Sequence, residues 1–293
     1  MHALIGSLRA VFAALFLLML WSSGAVAQKW VKLAPFPEAS EEVYGIASGG
    51  KMYVFGGLGP RWTPKGLVYE YDPASDKWTK KKPMALPSHH VALAEWNGKI
   101  YVMGGFVLPK SGPPAWEPIS NAWEYDPAND SWKALAPMPT KRGSPIAEAV
   151  DGKIYVIGGR VGAAFMTTPA SATDIVEEYD PATDHWGPLK RSMATPRSAA
   201  AFATYKGKIY VAGGEMRDVK IWGAFSVVEA LDPGANRWIT LPSMNVPRHG
   251  HAAAVIGHRL HLVSGDVQSL GGSKPADVQV ETNLHEALDL PEN

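Results

Sequence analysis

The chain has 293 residues, of which 46% are hydrophobic, 19% charged and 10% aromatic, with 11 Trp. This composition supports a large buried core and excludes a disordered chain. Because 28 basic residues balance 28 acidic ones, there is no cationic excess to neutralise the phosphates of a nucleic acid, and no nucleic-acid partner is expected. The absence of Cys excludes disulfides, Cys-ligated zinc and thiol nucleophiles.

The first 27 residues predict a secretory signal peptide. Arg9 supplies a positive start, Val11 to Trp21 form an apolar run, and Ala25 to Ala27 place small residues at a cleavage site. A membrane anchor is the alternative, but it needs about 20 apolar residues, and Ser22 to Gly24 interrupt the run. We therefore expect a periplasmic or secreted protein with no stable membrane anchor after cleavage, and a mature domain over residues 28–293.

An internal repeat dominates the rest of the chain. Its first motif is KMYVFGG ending at Gly57, KIYVMGG at Gly105, KIYVIGG at Gly159, KIYVAGG at Gly214 and RLHLVSG at Gly265. Three copies continue into a Tyr-Asp-Pro turn and a Trp, as YDPASDKW, YDPANDSW and YDPATDHW, and a fourth reads LDPGANRW. The period of 48 to 55 residues is typical of propeller blades.

These motifs resemble those of the kelch-repeat family over essentially all of residues 28–293. In that family each repeat forms one four-stranded blade, with strands a to d, of a β-propeller. The resemblance therefore implies an all-β chain consisting of a single kelch β-propeller.

The turn residues favour the same fold without the family name. Asn97-Gly98 separates two alternating runs, Ala92 to Trp96 and Lys99 to Met103, as expected for the hairpin between strands a and b. The Asp-Pro pairs predict the turn from strand c to strand d, since Asp bonds backbone amides and Pro presets φ. The Gly pairs close strand b where backbones approach closely.

Counting the motifs predicts five four-stranded blades, with six as the alternative. Trp30 lies 26 residues before Gly56, as Trp78 does before Gly104, so we expect Trp30 on a strand d. Leu284 to Leu290 resembles a strand c with no strand d after it. The N-terminal strand is therefore expected to complete the C-terminal blade and close the ring.

The functional face is expected to carry the b–c and d–a loops, because these vary in length while the opposite turns stay short. Sixteen residues before each Gly pair, or before Ser264, stand Ser40, Ser88, Arg142, Arg197 and Arg248. Three arginines converging at a channel mouth predict a site for a carboxylate or phosphate, joined by Arg160. The alternative is that each arginine pairs with an acid on the neighbouring blade.

Three tryptophans outside the repeated column are further candidate ligand-binding residues: Trp62, Trp116 and Trp222. All three lie in b–c loops, where an exposed indole can stack on a sugar ring. The alternative is packing within the long loops themselves.

Catalytic and metal candidates are sparser. Arg160, Glu215 and Asp266 directly follow Gly pairs, so a carboxylate beside an arginine could act as a general base with His249 as the acid, unless they form only a ring of salt bridges. His249 and His251 share a strand face and could bind a metal with Asp266 or Glu281, although divergence of the last repeat explains part of its histidine content. No metal and no cofactor are expected.

The family resemblance implies several functions. Kelch rings include enzymes of the galactose-oxidase type, exported sialic-acid epimerases and many interaction modules without catalysis. The oxidases need a Tyr cross-linked to Cys, which this chain cannot make. We therefore expect an exported module whose b–c and d–a loop face binds a protein or an acidic carbohydrate; the alternative is a cofactor-independent sugar epimerase of the sialic-acid type.

Overall fold

The structure is a computed structural model that describes residues 33–60, 63–111, 115–163, 171–217, 222–267 and 282–291. The chain divides into two compact units, Met1–Pro35 and Phe36–Asn293. In the first unit only residues 33–35 are described, and they form no regular secondary structure. The predicted signal peptide and the predicted strand at Trp30 lie outside the described residues and stay predictions. The described residues include no helix of the length and apolarity that a bilayer span requires.

The described part of the second unit is built of strands, arranged as the predicted five-bladed propeller. The first blade comprises β1 (Glu41–Ser48), β2 (Lys51–Leu58), β3 (Pro64–Asp72) and β4 (Lys77–Lys80). The second comprises β5 (Ala92–Trp96), β6 (Lys99–Met103), a separate ribbon of β7 (Phe106–Val107) and β8 (Glu117–Pro118), then β9 (Ala122–Asp126) and β10 (Ser131–Ala134).

The third and fourth blades repeat this antiparallel order. The third comprises β11 (Ile146–Val150), β12 (Lys153–Ile157), β13 (Val176–Asp180) and β14 (His185–Trp186). The fourth comprises β15 (Ala201–Tyr205), β16 (Lys208–Ala212), a ribbon of β17 (Glu215–Arg217) and β18 (Trp222–Ala224), then β19 (Val228–Asp232) and β20 (Arg237–Leu241).

The fifth blade has three strands among the described residues, β21 (Ala252–Ile256), β22 (Arg259–Val263) and β23 (His285–Asp289). Strand β23 pairs with β22, which confirms that residues 284–290 supply a third strand. The first strands of successive blades contact one another from β1 through β5, β11 and β15 to β21. These innermost strands surround the centre of the ring, and the apolar core lies between the faces of adjacent blades.

The predicted turn chemistry is confirmed at the residues that carry it. Asn97 and Gly98 have φ angles of 53° and 75°, the left-handed pair that a tight hairpin requires. Gly104 has a φ of 64°, and a Cβ there would lie 2.5 Å from the carbonyl oxygen of Arg142. The Asp126 carboxylate accepts the N–H of Ala128 at 3.0 Å, as expected of an Asp-Pro turn.

A repeated pair of hydrogen bonds, here called the inter-blade latch, joins neighbouring blades. The N–H of Lys82, after the last strand of the first blade, donates to Asp130 at 3.0 Å. Its carbonyl accepts the indole N–H of Trp132 at 3.2 Å. The arrangement recurs at Ala136 with Asp184 (2.8 Å) and Trp186 (3.0 Å), and at Arg191 with Asn236 (2.8 Å) and Trp238 (3.0 Å).

In the second and third blades, the latch also ties the turn between strands c and d to the core of the blade. The hydroxyl of Tyr125 donates to Asp130 at 2.6 Å, and that of Tyr179 donates to Asp184 at 2.7 Å. The two rings are fully buried. The Tyr, the second Asp and the Trp of the repeated motif therefore act together: the Tyr holds the carboxylate, and the carboxylate and indole bond the N–H and carbonyl of one residue in the preceding blade.

We expect Trp186→Phe, which deletes the latch N–H and keeps an aromatic ring, to lower the free energy of unfolding by about 1–2 kcal/mol. Trp96→Phe is the matched control, because Trp96 is 38% exposed and outside the latch; its effect should stay within about 0.5 kcal/mol. Equilibrium denaturant unfolding measures both. Equal losses in the two variants would show that the latch contributes nothing beyond ring packing.

Candidate functional site

One face of the ring gathers the residues that follow the Gly pairs and those that enter the innermost strands. Backbone bridges join His89 to Phe106, Gly143 to Arg160, Ser198 to Glu215 and His249 to Asp266. Each bridge sits at the end of strands a and b where the b–c and d–a loops emerge. The residues predicted to follow the Gly pairs therefore lie on the loop face, close to the ring centre.

Five equivalent residues on this face, here called the channel column, have left-handed backbone: Glu42, His90, Ser144, Ala199 and Gly250, with φ from 50° to 61°. Backbone bonds connect the last four of them, each to the next. The N–H of Ser144 donates to the carbonyl of His90 at 2.8 Å, and that of Gly250 donates to Ala199 at 2.8 Å. The conformation costs about 1–3 kcal/mol at a non-Gly residue, so these bonds and the surrounding packing must hold it.

Charged and imidazole side chains meet here in what we call the channel cluster: Glu42, His90, Arg160, Glu215 and His249. His90 Nε2 lies 3.2 Å from Glu42 Oε2. Arg160 Nη1 lies 3.6 Å from Glu215 Oε1, and His249 Nε2 lies 3.6 Å from Glu215 Oε2. Each of the five blades contributes one member, so the cluster exists only in the assembled ring.

The surroundings shift the proton affinities within the cluster. Burial raises the pKa of Glu42, with a smaller upward contribution from Glu215, while Arg160 and His249 act in the opposite direction. The Glu42 side chain is 38% exposed, yet protein surrounds it closely enough for desolvation to dominate. Burial also lowers the pKa of His90 well below its usual range, and the charge of Arg160 adds to that effect.

Arg160 differs from the other candidate arginines in the groups that compensate its positive charge. Its carboxylate contact with Glu215 is 3.6 Å long, and its guanidinium lies 5.3 Å from the centre of the Phe106 ring, within the range of a cation–π contact. Its Nε is buried and has no hydrogen-bond partner among the described residues, as is also true of the Nε of Arg142, Arg197 and Arg248. The longer carboxylate contact is therefore what distinguishes Arg160.

The other three predicted arginines do not converge on the channel mouth. The side chains of Arg142, Arg197 and Arg248 are fully buried, each in its own blade. Arg142 pairs with Glu177, Arg197 Nη1 lies 2.6 Å from Glu229 Oε2, and Arg248 Nη1 lies 2.5 Å from Glu286 Oε2. This arrangement matches the alternative of arginine–acid pairs, with one correction: the acid belongs to the third strand of the same blade.

The predicted tryptophans have separate outcomes. Trp116 packs against His89, His90 and Phe106, with ring centres 4.7, 5.3 and 6.1 Å away, so it follows the alternative of packing within the loop region. Trp62 lies outside the described residues, and Trp222 is described only as backbone of β18. Their proposed stacking on a sugar stays a prediction.

The described residues offer no group of three or more His, Asp or Glu arranged to hold a metal ion. His251 is 7% exposed, and burial lowers its pKa to about 3, with the charge of Arg248 adding to the shift. His249 instead contacts Glu215. Asp266 is bonded through its backbone to His249, and the predicted metal partner Glu281 lies outside the described residues.

Glu42 and His90 were missed from the sequence, although a signal for them exists. They stand 14 residues before the first Gly of the pair, two residues after the column that contains the three buried arginines. A second missed signal concerns the buried pairs. Where the arginine column holds Arg, the position two before Tyr179, Leu231 or Leu288 holds Glu; where it holds Ser, the matching position is Tyr69 or Trp123.

Comparisons with known proteins agree with the repeats. A family described as the KLHDC2/KLHL20/DRC7 Kelch-repeats domain matches residues 44–265. Kelch-like protein 25 of Xenopus tropicalis is 31% identical over 52% of this chain, and alpha-scruin of Limulus polyphemus is 28% identical over 53%. The chain spans only 26% and 17% of the lengths of these two relatives.

A solved structure of YjhT is similar to this one, with a TM-score of 0.66 and 21% sequence identity. The match covers 80% of this chain and 75% of that chain. At this identity the likeness concerns the fold alone.

We expect Glu229→Gln to destabilise the protein by about 3 kcal/mol or more, because it leaves the buried guanidinium of Arg197 without a counter-charge. Asp289→Asn is the matched control. It removes the acid of an exposed pair with Arg259, whose side chains are 45% and 65% accessible, so the expected loss is at most about 1 kcal/mol. Equal losses in denaturant unfolding would contradict a structural role for the buried pairs.

Proposed function

Because this chain belongs to the kelch-repeat family, we propose that it is an exported propeller that binds a partner or ligand on its loop face, at the channel cluster. Kelch propellers are generally protein-binding modules. The observation that carries the proposal is the cluster itself: one guanidinium, two carboxylates and two imidazoles, contributed by all five blades, meet at the ring centre. An ion pair that only stabilises one blade would not need side chains from all five blades.

Arg160 is the proposed anchor for an acidic group. Arginine binds carboxylates and phosphates through a planar fork of N–H donors. The nearest acid contact described for Arg160 is 3.6 Å long, whereas the acids of Arg197 and Arg248 lie at 2.6 and 2.5 Å. A ligand carboxylate therefore meets less competition from a protein carboxylate at Arg160 than at the three arginines paired inside blades, so the proposed acid-binding role passes from those three residues to Arg160.

The two carboxylates narrow the ligand class. Glu42 and Glu215 repel a bare inorganic anion but accept hydrogen bonds from hydroxyl groups. A molecule that brings one acidic group together with several hydroxyls satisfies both halves of the cluster. An acidic carbohydrate has this chemistry, and an acidic side chain flanked by Ser or Thr on a protein partner supplies the same groups.

A second candidate is catalysis by proton transfer, favoured by the contact between Glu215 and His249. An epimerase of acidic sugars needs one group that removes a proton and another that returns one, and a carboxylate with an imidazole can supply both. Catalysis predicts exchange of a substrate hydrogen with deuterium from the solvent. Binding without such exchange leaves the chain a binding module.

We expect glucuronate or N-acetylneuraminate to raise the melting temperature of the full chain through mass action, and glucose to have no effect. Arg160→Gln should weaken the acidic sugar at least about tenfold, because a charged hydrogen bond of roughly 1.5–3 kcal/mol is lost. Calorimetric titration measures the affinity.

Arg259→Gln is the matched control, since Arg259 is an exposed arginine outside the channel cluster. Unchanged affinity in Arg160→Gln would refute Arg160 as the anchor. If no acidic sugar binds, the proposal predicts that capture of an acidic protein partner depends on Arg160 and not on Arg259; a partner bound equally by both variants would refute the channel cluster as the site.

A further inference from the structure

A continuous line of contacts leads from the channel cluster into the second blade. Glu42 Oε2 lies 3.2 Å from His90 Nε2. On the other side of the same ring, His90 Nδ1 lies 2.7 Å from His89 Nδ1. His89 is fully buried, and its remaining nitrogen, Nε2, has no hydrogen-bond partner among the described residues. Three titratable side chains thus follow one another with no intervening group.

The far end of this line is closed by aromatic rings. Phe106 and Trp116 lie 5.7 and 4.7 Å from the His89 ring, centre to centre. Phe106 is fully buried, and the guanidinium of Arg160 lies over its ring. Leaving an imidazole nitrogen unbonded in such surroundings destabilises the folded chain, so stability alone gives no reason to keep it.

Each imidazole holds one proton near neutral pH. Burial lowers the pKa of His89 to about 2, and the neighbouring His90 and Arg160 add to the shift. The pKa of His90 is also lowered well below its usual range by burial. With one proton per ring, the bond between the two Nδ1 atoms requires that one of them donates and the other accepts.

The state of Glu42 decides which one donates. When Glu42 is ionised, it accepts from His90 Nε2–H. His90 Nδ1 is then bare and accepts from His89 Nδ1–H, which leaves His89 Nε2 as a bare acceptor. When Glu42 is protonated, it donates to His90 Nε2. His90 then donates through Nδ1–H to His89 Nδ1, and His89 Nε2 carries the hydrogen.

We propose that Glu42, His90 and His89 form a relay of coupled tautomers, in which the protonation of Glu42 in the channel cluster sets which nitrogen of the buried His89 carries the hydrogen, beside Phe106 and Trp116. Between the two states the relay takes up one proton from the solvent: the Nε2 hydrogen of His90 goes to Glu42, the Nδ1 hydrogen of His89 goes to His90 Nδ1, and the added proton is held at His89 Nε2. No bond between heavy atoms forms or breaks, and no oxidant or co-reactant is needed.

The groups that face Glu42 set the pH at which the relay changes state. These are Tyr44 on its own strand, whose hydroxyl lies 3.5 Å from Glu42 Oε2, together with His90, Arg160, Glu215 and His249 from the other four blades. Arg160 and His249 favour the ionised carboxylate, whereas burial and Glu215 favour the protonated one. Because the net shift of the Glu42 pKa is upward, the relay changes state at a pH above the usual range for a carboxyl group.

The test is nuclear magnetic resonance of the full chain with ¹⁵N-labelled imidazoles, recorded across pH 4 to 8 without any ligand. We expect His89 and His90 to exchange the protonated nitrogen together at one midpoint, His89 from Nδ1–H to Nε2–H as the pH falls. His251 is the internal control, because it is equally buried, neutral and outside the relay; its tautomer should not follow that midpoint.

Glu42→Gln removes the titrating group while keeping the shape of the side chain, and Glu42 is exposed enough for the variant to fold. In this variant the tautomers of His89 and His90 should no longer change at the wild-type midpoint. Tautomers in the wild type that stay constant with pH, that change at two different midpoints, or that still switch in Glu42→Gln would each overturn the relay. The ligand experiment on Arg160 is independent, so either proposal can fail alone.

Discussion

The ring depends on one residue in each of three blades whose backbone N–H and carbonyl are both bonded by the next blade. At Ala136 the amide donates to Asp184 and the carbonyl accepts from Trp186. These bonds lie outside the sheets, since each blade's own ladders are internal to it. Apolar packing between blades tolerates sliding, because it has no direction, whereas two hydrogen bonds to the backbone of one residue fix the position. The channel cluster inherits this precision, because its five members come from five different blades.

The same residue type serves two purposes in this protein, and the distance to the nearest carboxylate separates them. Arg197 and Arg248 are buried inside blades against close carboxylates, where each pair links the loop entering strand a to strand c. Arg160, at the ring centre, is also buried but has a more distant carboxylate. A buried ion pair contributes fixed geometry more than net stability. The three buried pairs therefore fix the geometry of the loop face, and Arg160 is available to interact with a ligand that binds there.

The sequence predicts well those features that depend on a few neighbouring residues and recur from blade to blade. The hairpin at Asn97-Gly98, the Asp126 turn and the approach at Gly104 follow from single-residue rules, and five copies of one motif predict five blades. The carboxylate partner of each arginine is harder, because it lies 32 to 38 residues away in sequence. The channel cluster is hardest: the repeat gives the positions of its members, but their residue types differ in every blade, and only the packing of one blade against the next brings Glu42 beside His90.

In the channel column, the backbone belongs to the ring, whereas the side chains differ from blade to blade. This distinction bears on how such propellers diverge. Four of its members are joined through backbone atoms, as between His90 and Ser144, and the five side chains are Glu, His, Ser, Ala and Gly at one shared left-handed conformation. The ring thus places five side-chain positions around one opening, and among them the Ser144 hydroxyl also bonds the neighbouring blade by accepting the N–H of Ala199 at 3.1 Å. New recognition chemistry can arise there by single substitutions, one blade at a time, while the architecture that presents it is inherited unchanged.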